Sequence, residues 1–279
     1  MHRIVLQGPA LNSDLSRQAA GLAGARRTEV KLGTVTLSDF AAEPQRAPLR
    51  ELCEQARIDC AFVDAPLPLA RMRLAVMDMD STLITIECID EIADMQGLKP
   101  QVAAITESAM RGEIDFRQSL ARRVALLKGL DEGALQRVYD ERLKLTPGVE
   151  TMIAGFKAAG IKTLLVSGGF TFFADRVRAR LGLDYAASNV LGIEDGKLTG
   201  VTLGPVIDAD AKAQKLLETC QALGCTPDQA IAIGDGANDL KMMGVAGVSV
   251  AFHAKPVVRE QARFAVTYNG LDAVLPLFD

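Results

Sequence analysis

From Leu74 onward the chain repeats one unit, a short and nearly continuous apolar run followed by a stretch with helical spacing. The runs are LAVMD, IKTLLVS and QAIAIGD, with VSVAF and FAVTY nearer the end. A strand that is apolar on both sides has to be covered on both faces, which is the situation in a parallel sheet. The stretches GVETMIAGFKAAG, FFADRVRARLG and DAKAQKLLETCQALG supply the covering helices. The expectation is a doubly wound α/β core over residues 71–279. Such a core binds its ligand at the carboxyl ends of the strands.

Two segments break the alternation. Residues 84–145 are helical in pattern almost throughout (TIECIDEIADMQG, KPQVAAITESAMRG, FRQSLARRVALLKG, DEGALQRVYDERL), which reads as a helical cap inserted after the first strand. In SNVLGIEDGKLTGVTLG, two alternating runs flank the turn EDGK and predict a β-hairpin. Residues 1–70 look separate. HRIVLQ, DLSRQAAGLAGA, TEVKLGTVTLSDF, APLRELCEQARI and DCAFVDA give the order β-α-β-(β)-α-β of a small ferredoxin-like α+β domain, closed by Pro66 and Pro68.

Composition removes several kinds of chemistry. With only His2 and His253, a Ser-His-Asp triad or a multi-histidine zinc site has almost nothing to be built from. Five cysteines without a CxxC pair read as ordinary reduced thiols. A net charge of −4 without a basic run argues against nucleic acid or an anionic membrane as the partner. No apolar run has the roughly 20 residues of a spanning helix, and the amino terminus lacks the apolar core of a secretory signal, so a cytoplasmic protein is expected. Chemistry is left to carboxylates, hydroxyls, lysine and backbone amides.

Those groups gather where the strands end. In MDMDSTL, Asp78 and Asp80 stand two apart and face one side of an extended chain. One carboxylate is suited to nucleophilic attack and the other to proton transfer, although an Asp or Ser-Thr after a strand also starts helices. In VSGGF, Ser167 and glycine amides at a strand-to-helix turn make an anion nest or a plain tight turn. Lys212 opens a helix, with Lys215 and Lys241 as rivals for any role it has. In GDGANDLKMM, Asp235 and Asp239 bracket a glycine, an alanine and an asparagine, and their carboxylates are hard oxygen donors of the kind Mg²⁺ takes, or else part of an Asx turn. Nucleophile, acid, anion nest, cation and metal carboxylates together form an inventory for moving a phosphoryl group.

In this order the motifs resemble the haloacid dehalogenase superfamily. The cap segments ECIDEIA and AMRGEIDFRQSLARRVALLKG, with SGGF, are similar to those of its phosphoserine phosphatase branch. The resemblance covers roughly residues 74–279 and implies a Rossmannoid core. It implies that Asp78 attacks phosphorus and that Asp80 protonates the leaving serine oxygen and then activates water. Ser167 and the Gly168 amide would hold phosphate oxygens, with Lys212 neutralising charge and Asn238 on the phosphate side. Mg²⁺ would take Asp78, Asp235 and the backbone carbonyl of Asp80, with Asp239 orienting the metal shell. In the cap, Glu87 would meet the substrate ammonium and Arg123 its carboxylate, with Met110 and Phe116 closing over them. A zwitterion needs one anion and one planar cation, but Arg122 adjoins Arg123, and only a helix face can choose. Residues 1–70 resemble ACT-like modules more weakly, which leaves serine binding or regulation, a homodimer, and a degenerate module all open.

The expected activity is hydrolysis of O-phospho-L-serine to L-serine, the last step of serine biosynthesis. The alternatives are another small phosphomonoester or, in a different class, an amino-acid sensor built on residues 1–70.

Overall fold

The computed structural model describes residues 1–279, the side chain of Met110 apart. The chain opens with β1 (Arg3–Gln7), α1 (Ser13–Ala23), β2 (Ala25–Lys31), β3 (Thr34–Phe40), α2 (Arg46–Ala56) and β4 (Asp59–Val63). These strands form an antiparallel sheet in the order β2-β3-β1-β4, a ferredoxin-like arrangement. Alternation along the strands gives the sheet two faces. Ile4, Leu6, Val35 and Leu37 pack with Ala19, Leu49 and Cys53 of the two helices, while Val5, Ala61 and Val63 join the core of the following sheet.

That second sheet begins with β5 (Leu74–Met77), whose four residues are all buried. The chain leaves the sheet after Met77 and, past Ile84, enters α3 (Cys88–Met95), α4 (Lys99–Met110), α5 (Phe116–Ala125) and α6 (Gly133–Glu141). It returns at Leu145, and an antiparallel bridge between Ile84 and Leu145 ties the two stems of this excursion. Then come α7 (Val149–Ala158), β6 (Lys162–Phe170), α8 (Thr171–Leu181), β7 (Tyr185–Glu194), β8 (Lys197–Leu203) and α9 (Ala209–Leu223). The chain ends with β9 (Ala230–Gly234), α10 (Leu240–Val245), β10 (Val248–Phe252), α11 (Pro256–Gln261), β11 (Phe264–Val266) and a 3-10 segment, Leu271–Leu277.

The seven strands lie in the order β11-β10-β9-β5-β6-β7-β8, parallel except for the β7–β8 hairpin. Successive strand residues go to opposite faces. Ala75, Met77, Ile231 and Ile233 meet α7 and α8, whereas Leu74, Val76, Ala230 and Ala232 meet α9 and α10. The core is thus doubly wound, as the apolar runs require. From β5 the chain winds to one side through β6 and β7, then crosses back to β9 on the other. The carboxyl ends of β5 and β9 therefore flank the point where strand order reverses, the crevice in which such sheets bind ligands.

The sequence reading needs two corrections. SGGF is no strand-to-helix turn, because β6 runs on to Phe170 with its register against β7 broken between Val166 and Phe170. Asn189 of β7 holds that irregular end, donating to the Gly168 carbonyl at 2.8 Å and accepting from the Ile207 amide at 2.8 Å. The hairpin strand β7 also begins at Tyr185, earlier than its alternating half suggests, because its first half pairs parallel with β6.

Candidate active site

Asp78 is the first residue past β5, and its amide still bonds to the Ile233 carbonyl of β9 at 3.0 Å. Asp235 is the first residue past β9, so the register Met77↔Ile233 sets the two carboxylates side by side. Asp239 ends the short turn Ala237–Asp239 just before α10, and its Oδ2 accepts from the Gly236 amide at 3.1 Å. One carboxylate oxygen from each of Asp78, Asp235 and Asp239 lies within 4.8 Å of the others. The Asp80 carboxylate stands outside this group.

Lys212 sits in the first turn of α9 with its side chain only 1% exposed. Its Nζ lies 2.7 Å from Asp78 Oδ2 and 2.7 Å from Asp239 Oδ1. The rival lysines are on the surface, Lys215 paired with Glu218 and Lys241 with Asp210. Burial works against the Lys212 charge, but the Asp239 and Asp78 carboxylates outweigh it and hold its pKa above the ordinary value. One ammonium among three acids leaves negative charge over. Burial, and then Asp239, push Asp78 well above the carboxylate range, and burial with Asp239 and Glu87 lifts Asp235 to about 6. Thr82 Oγ1 donates to Asp235 Oδ1 at 3.1 Å.

Between Asp78 and the cap the chain makes one tight turn, Met79–Leu83, in which Ser81 takes a left-handed φ of 56°. That conformation is costly for a residue with a Cβ. It sends Ser81 Oγ to Glu87 Oε1 at 2.7 Å and leaves Asp80 Oδ1 accepting from the Cys88 amide at 3.4 Å. Burial, followed by the charge of Glu87, raises the Asp80 carboxyl to about 7. A Cβ on Gly169 would lie 2.8 Å from Asp80 Oδ2 and 3.0 Å from Met79 Cε, so only glycine lets β6 come this close. Ser167 Oγ already accepts from the Gly169 amide at 2.9 Å, so the nest is partly occupied from within.

Core and cap enclose a cavity of about 720 Å³. Asp78, Asp80, Asp235, Ser167, Gly168 and Asn238 line it from the core, and Glu87, Phe116 and Arg123 from the cap. Lys212 lies beneath, reaching the cavity through Asp78. The face of α5 selects between the neighbouring arginines, since Arg122 is exposed and Arg123 lines the cavity with a buried Nε that has no partner. Phe116 Cζ comes within 3.0 Å of a Cβ built on Gly168, and Arg117 Nε donates to Asp208 Oδ2 at 2.7 Å, so α5 rests directly on the core. Met110 ends α4, and its side chain lies outside the described part.

Sequence reasoning missed several of these groups. Asp90 lines the cavity one helical turn beyond Glu87 and faces the same Arg123. The i, i+3 spacing in ECID carries that signal. Thr82, Asn189 and Lys255, the last a further residue lining the cavity, had none, because their positions depend on which strand ends become neighbours.

A doubly wound core with an acid pair, a buried lysine and a second acid pair around its switch point defines a hydrolase of the haloacid dehalogenase type. The chain belongs to that family, since the haloacid dehalogenase-like hydrolase profile matches residues 72–247. Within it the chain stands among the phosphoserine phosphatases. The phosphoserine phosphatase of a Polaromonas species is 57% identical over 216 residues, which is 76% of this chain and 92% of the relative. Among solved structures, a probable phosphoserine phosphatase from Vibrio cholerae matches at 40% identity with a TM-score of 0.86, covering 99% of this chain and 85% of the other. A haloacid dehalogenase family hydrolase from Salmonella enterica serovar Typhi matches with a TM-score of 0.89 at 35% identity, covering 99% and 98%. Both structural matches extend over the amino-terminal sheet. Among the described residues no helix is long and apolar enough to cross a membrane.

Proposed function

We propose that this chain is an Mg²⁺-dependent phosphatase that hydrolyses O-phospho-L-serine to L-serine and phosphate, the last step of serine biosynthesis. One observation carries the reading. A cavity holding the nucleophile–acid pair at its core end carries, at its cap end, the Glu87 carboxylate and the Arg123 guanidinium, whose buried Nε has no partner among the described residues, for the two charges of an amino acid.

The donor set fits the metal. Asp78, Asp235 and Asp239 converge with more negative charge than Lys212 balances, and hard oxygen donors are what Mg²⁺ takes. Asp78, Asp235 and the Asp80 carbonyl would hold the ion, with Asp239 positioning the shell. When bound, Mg²⁺ neutralises phosphoryl oxygens and keeps Asp78 ionised.

The protein's own groups do the rest. Arg123 binds the substrate carboxylate, Glu87 the ammonium, and Phe116 covers the chain between them. Ser167, the Gly168 amide and Asn238 orient the phosphoryl oxygens. A carboxylate oxygen of Asp78 attacks phosphorus as the bond to the serine oxygen breaks, and Asp80 gives that oxygen its proton. Lys212 holds the Oδ2 oxygen of Asp78 and fixes the direction of its carboxylate. The now ionised Asp80 takes a proton from water, whose oxygen attacks the aspartyl-phosphate and releases phosphate, restoring both acids.

Phosphate release should be measured over a panel of phosphomonoesters, and phosphoserine should be turned over with the highest kcat/KM. Asp78→Asn should lose turnover and the acid-labile phosphoenzyme together. An Asp78→Asn protein that still turns over phosphoserine overturns the mechanism, and a preference for an ester without amino and carboxylate groups overturns the cap assignment.

A further inference from the structure

We propose that Lys255 is a further substrate-binding residue, an ammonium at the rim of the cavity that draws in the phosphate of the ester and holds one of its oxygens. The proposal rests on the phosphatase reading above. Lys255 lines the cavity together with Asp235 and Asn238, and it comes there from β10. Ala251 of that strand stands beside Gly234 of β9. The loop after β10 therefore emerges next to the loop that carries Asp235 and Asn238, on the wall that receives the phosphoryl group.

This loop is built to hold one shape. His253 turns it with a left-handed φ of 45°. Such a conformation costs a residue with a Cβ and persists only where the surroundings fix it, commonly at ligand sites. The His253 amide donates to the Val266 carbonyl at 2.8 Å, Nε2 donates to the Asn269 carbonyl at 2.8 Å, and the ring stacks on Phe252 with centroids 4.2 Å apart. Asn269 is itself anchored, Nδ2 donating to Asp59 Oδ2 at 2.6 Å. On the other side, the Lys255 carbonyl accepts from the Val258 and Arg259 amides at 2.9 and 3.1 Å, and Pro256 opens α11. The backbone of Lys255 is pinned from both directions, while its side chain is exposed and pairs with no carboxylate among the described residues. Lys215 and Lys241, by contrast, each hold a neighbouring acid.

Charge gives that free ammonium its task. Asp78, Asp80, Glu87, Asp90 and Asp235 line the cavity, and the cations lining it among the described residues are Arg123 and Lys255. Lys212 lies beneath, held by Asp78 and Asp239. An ester that brings a phosphate and a carboxylate has to enter past this acidic wall. With Arg123 taking the carboxylate, Lys255 is the cation that the phosphate meets first. A lysine is a compact point charge on a flexible stem, suited to capture more than to fixed orientation. A charge placed at a rim acts chiefly on association, and its effect falls as salt rises.

Steady-state kinetics and calorimetry on the Mg²⁺-loaded full chain test this. At low salt, Lys255→Ala should raise the KM for phosphoserine and the Kd for inorganic phosphate by roughly 3- to 10-fold, with kcat changed less than about twofold. Lys255→Glu should raise both constants further, and Lys255→Arg should restore them. The loss should shrink at about 0.5 M salt, where charges more than a few ångströms apart are screened. Lys215→Ala removes the same charge from the surface and should leave both constants unchanged. Phosphate binding is read without turnover. A protein that binds phosphate as expected but does not hydrolyse phosphoserine would therefore overturn the substrate assignment and leave the role of Lys255 standing. Unchanged phosphate affinity in Lys255→Ala would overturn the proposal. So would a loss that glutamate does not deepen, arginine does not restore or salt does not shrink, or an equal loss in Lys215→Ala.

Discussion

Asp80 has to release a proton in one half of the proposed cycle and take one up in the other, so a pKa near the working pH serves both. Burial and the neighbouring Glu87 put it at about 7, against an ordinary aspartate value of ~3.9. Between those values the folded protein keeps a proton that the unfolded chain has lost, and folding therefore weakens as pH rises through the interval. The cost of ionised Asp80 is absent below the unfolded pKa and complete above the folded one. In metal-free protein, Asp80→Asn should thus raise the melting temperature by a few degrees at about pH 8 and leave it nearly unchanged at about pH 4, at ~2–4 °C per kcal/mol for a domain of this size. Scanning fluorimetry in a chelator checks it. Equal melting temperatures at the higher pH would mean that the carboxylate ionises there without penalty.

At the scale of elements, the bulged end of β6 does what neither a regular strand nor a plain turn could. It brings backbone to within touching distance of Asp80, with Gly169 at the contact. Gly169→Ala should displace the Asp80 carboxylate by a few tenths of an ångström or more and lower kcat by roughly 10- to 100-fold, since small misplacements in a site cost that much. Circular dichroism should stay unchanged. An alanine variant with full kcat would show that Asp80 has room to give way. The strands themselves were legible, because a residue run buried on both faces leaves few polar positions. Asp78, Asp80 and Asp235 were legible for the same reason, each standing where such a run stops. What sequence could not supply was adjacency. VSGGF read as a turn because its glycines suit one. It is a strand because Asn189, contributed by a strand later in the chain, secures its carbonyl. Arg123 could be told from Arg122 only once α5 had a buried face.

On the scale of the whole molecule, the amino-terminal sheet is joined to the core more closely than a tethered module would be. Val5, Ala61 and Val63 share one apolar cluster with Met72, Val248 and Val250, so the cores of the two sheets are continuous. Around that contact, Asp59, buried at the start of β4, accepts from the Thr267 amide at 2.7 Å, the Tyr268 amide at 3.2 Å and Asn269 Nδ2 at 2.6 Å. Gln7 Nε2 donates to the Ala273 carbonyl at 2.9 Å, and Arg3 reaches the Leu277 carbonyl at 2.8 Å. The segment these residues grip is itself bonded to the stem of the cap, Leu271 to the Pro147 carbonyl at 2.8 Å and Thr146 to Leu83 at 3.0 Å. A unit held this way has no surface along which to part without exposing apolar area and stranding buried donors. Heating should therefore unfold both sheets in one calorimetric transition. Asp59→Ala leaves three donors without their acceptor, at roughly 1–3 kcal/mol for each group left unsatisfied. It should lower the melting temperature of that single transition and keep it single. Two resolved transitions in the unaltered protein, or an Asp59→Ala variant in which only a small early transition moves, would show instead that the sheets fold independently and that the shared cluster does not couple them.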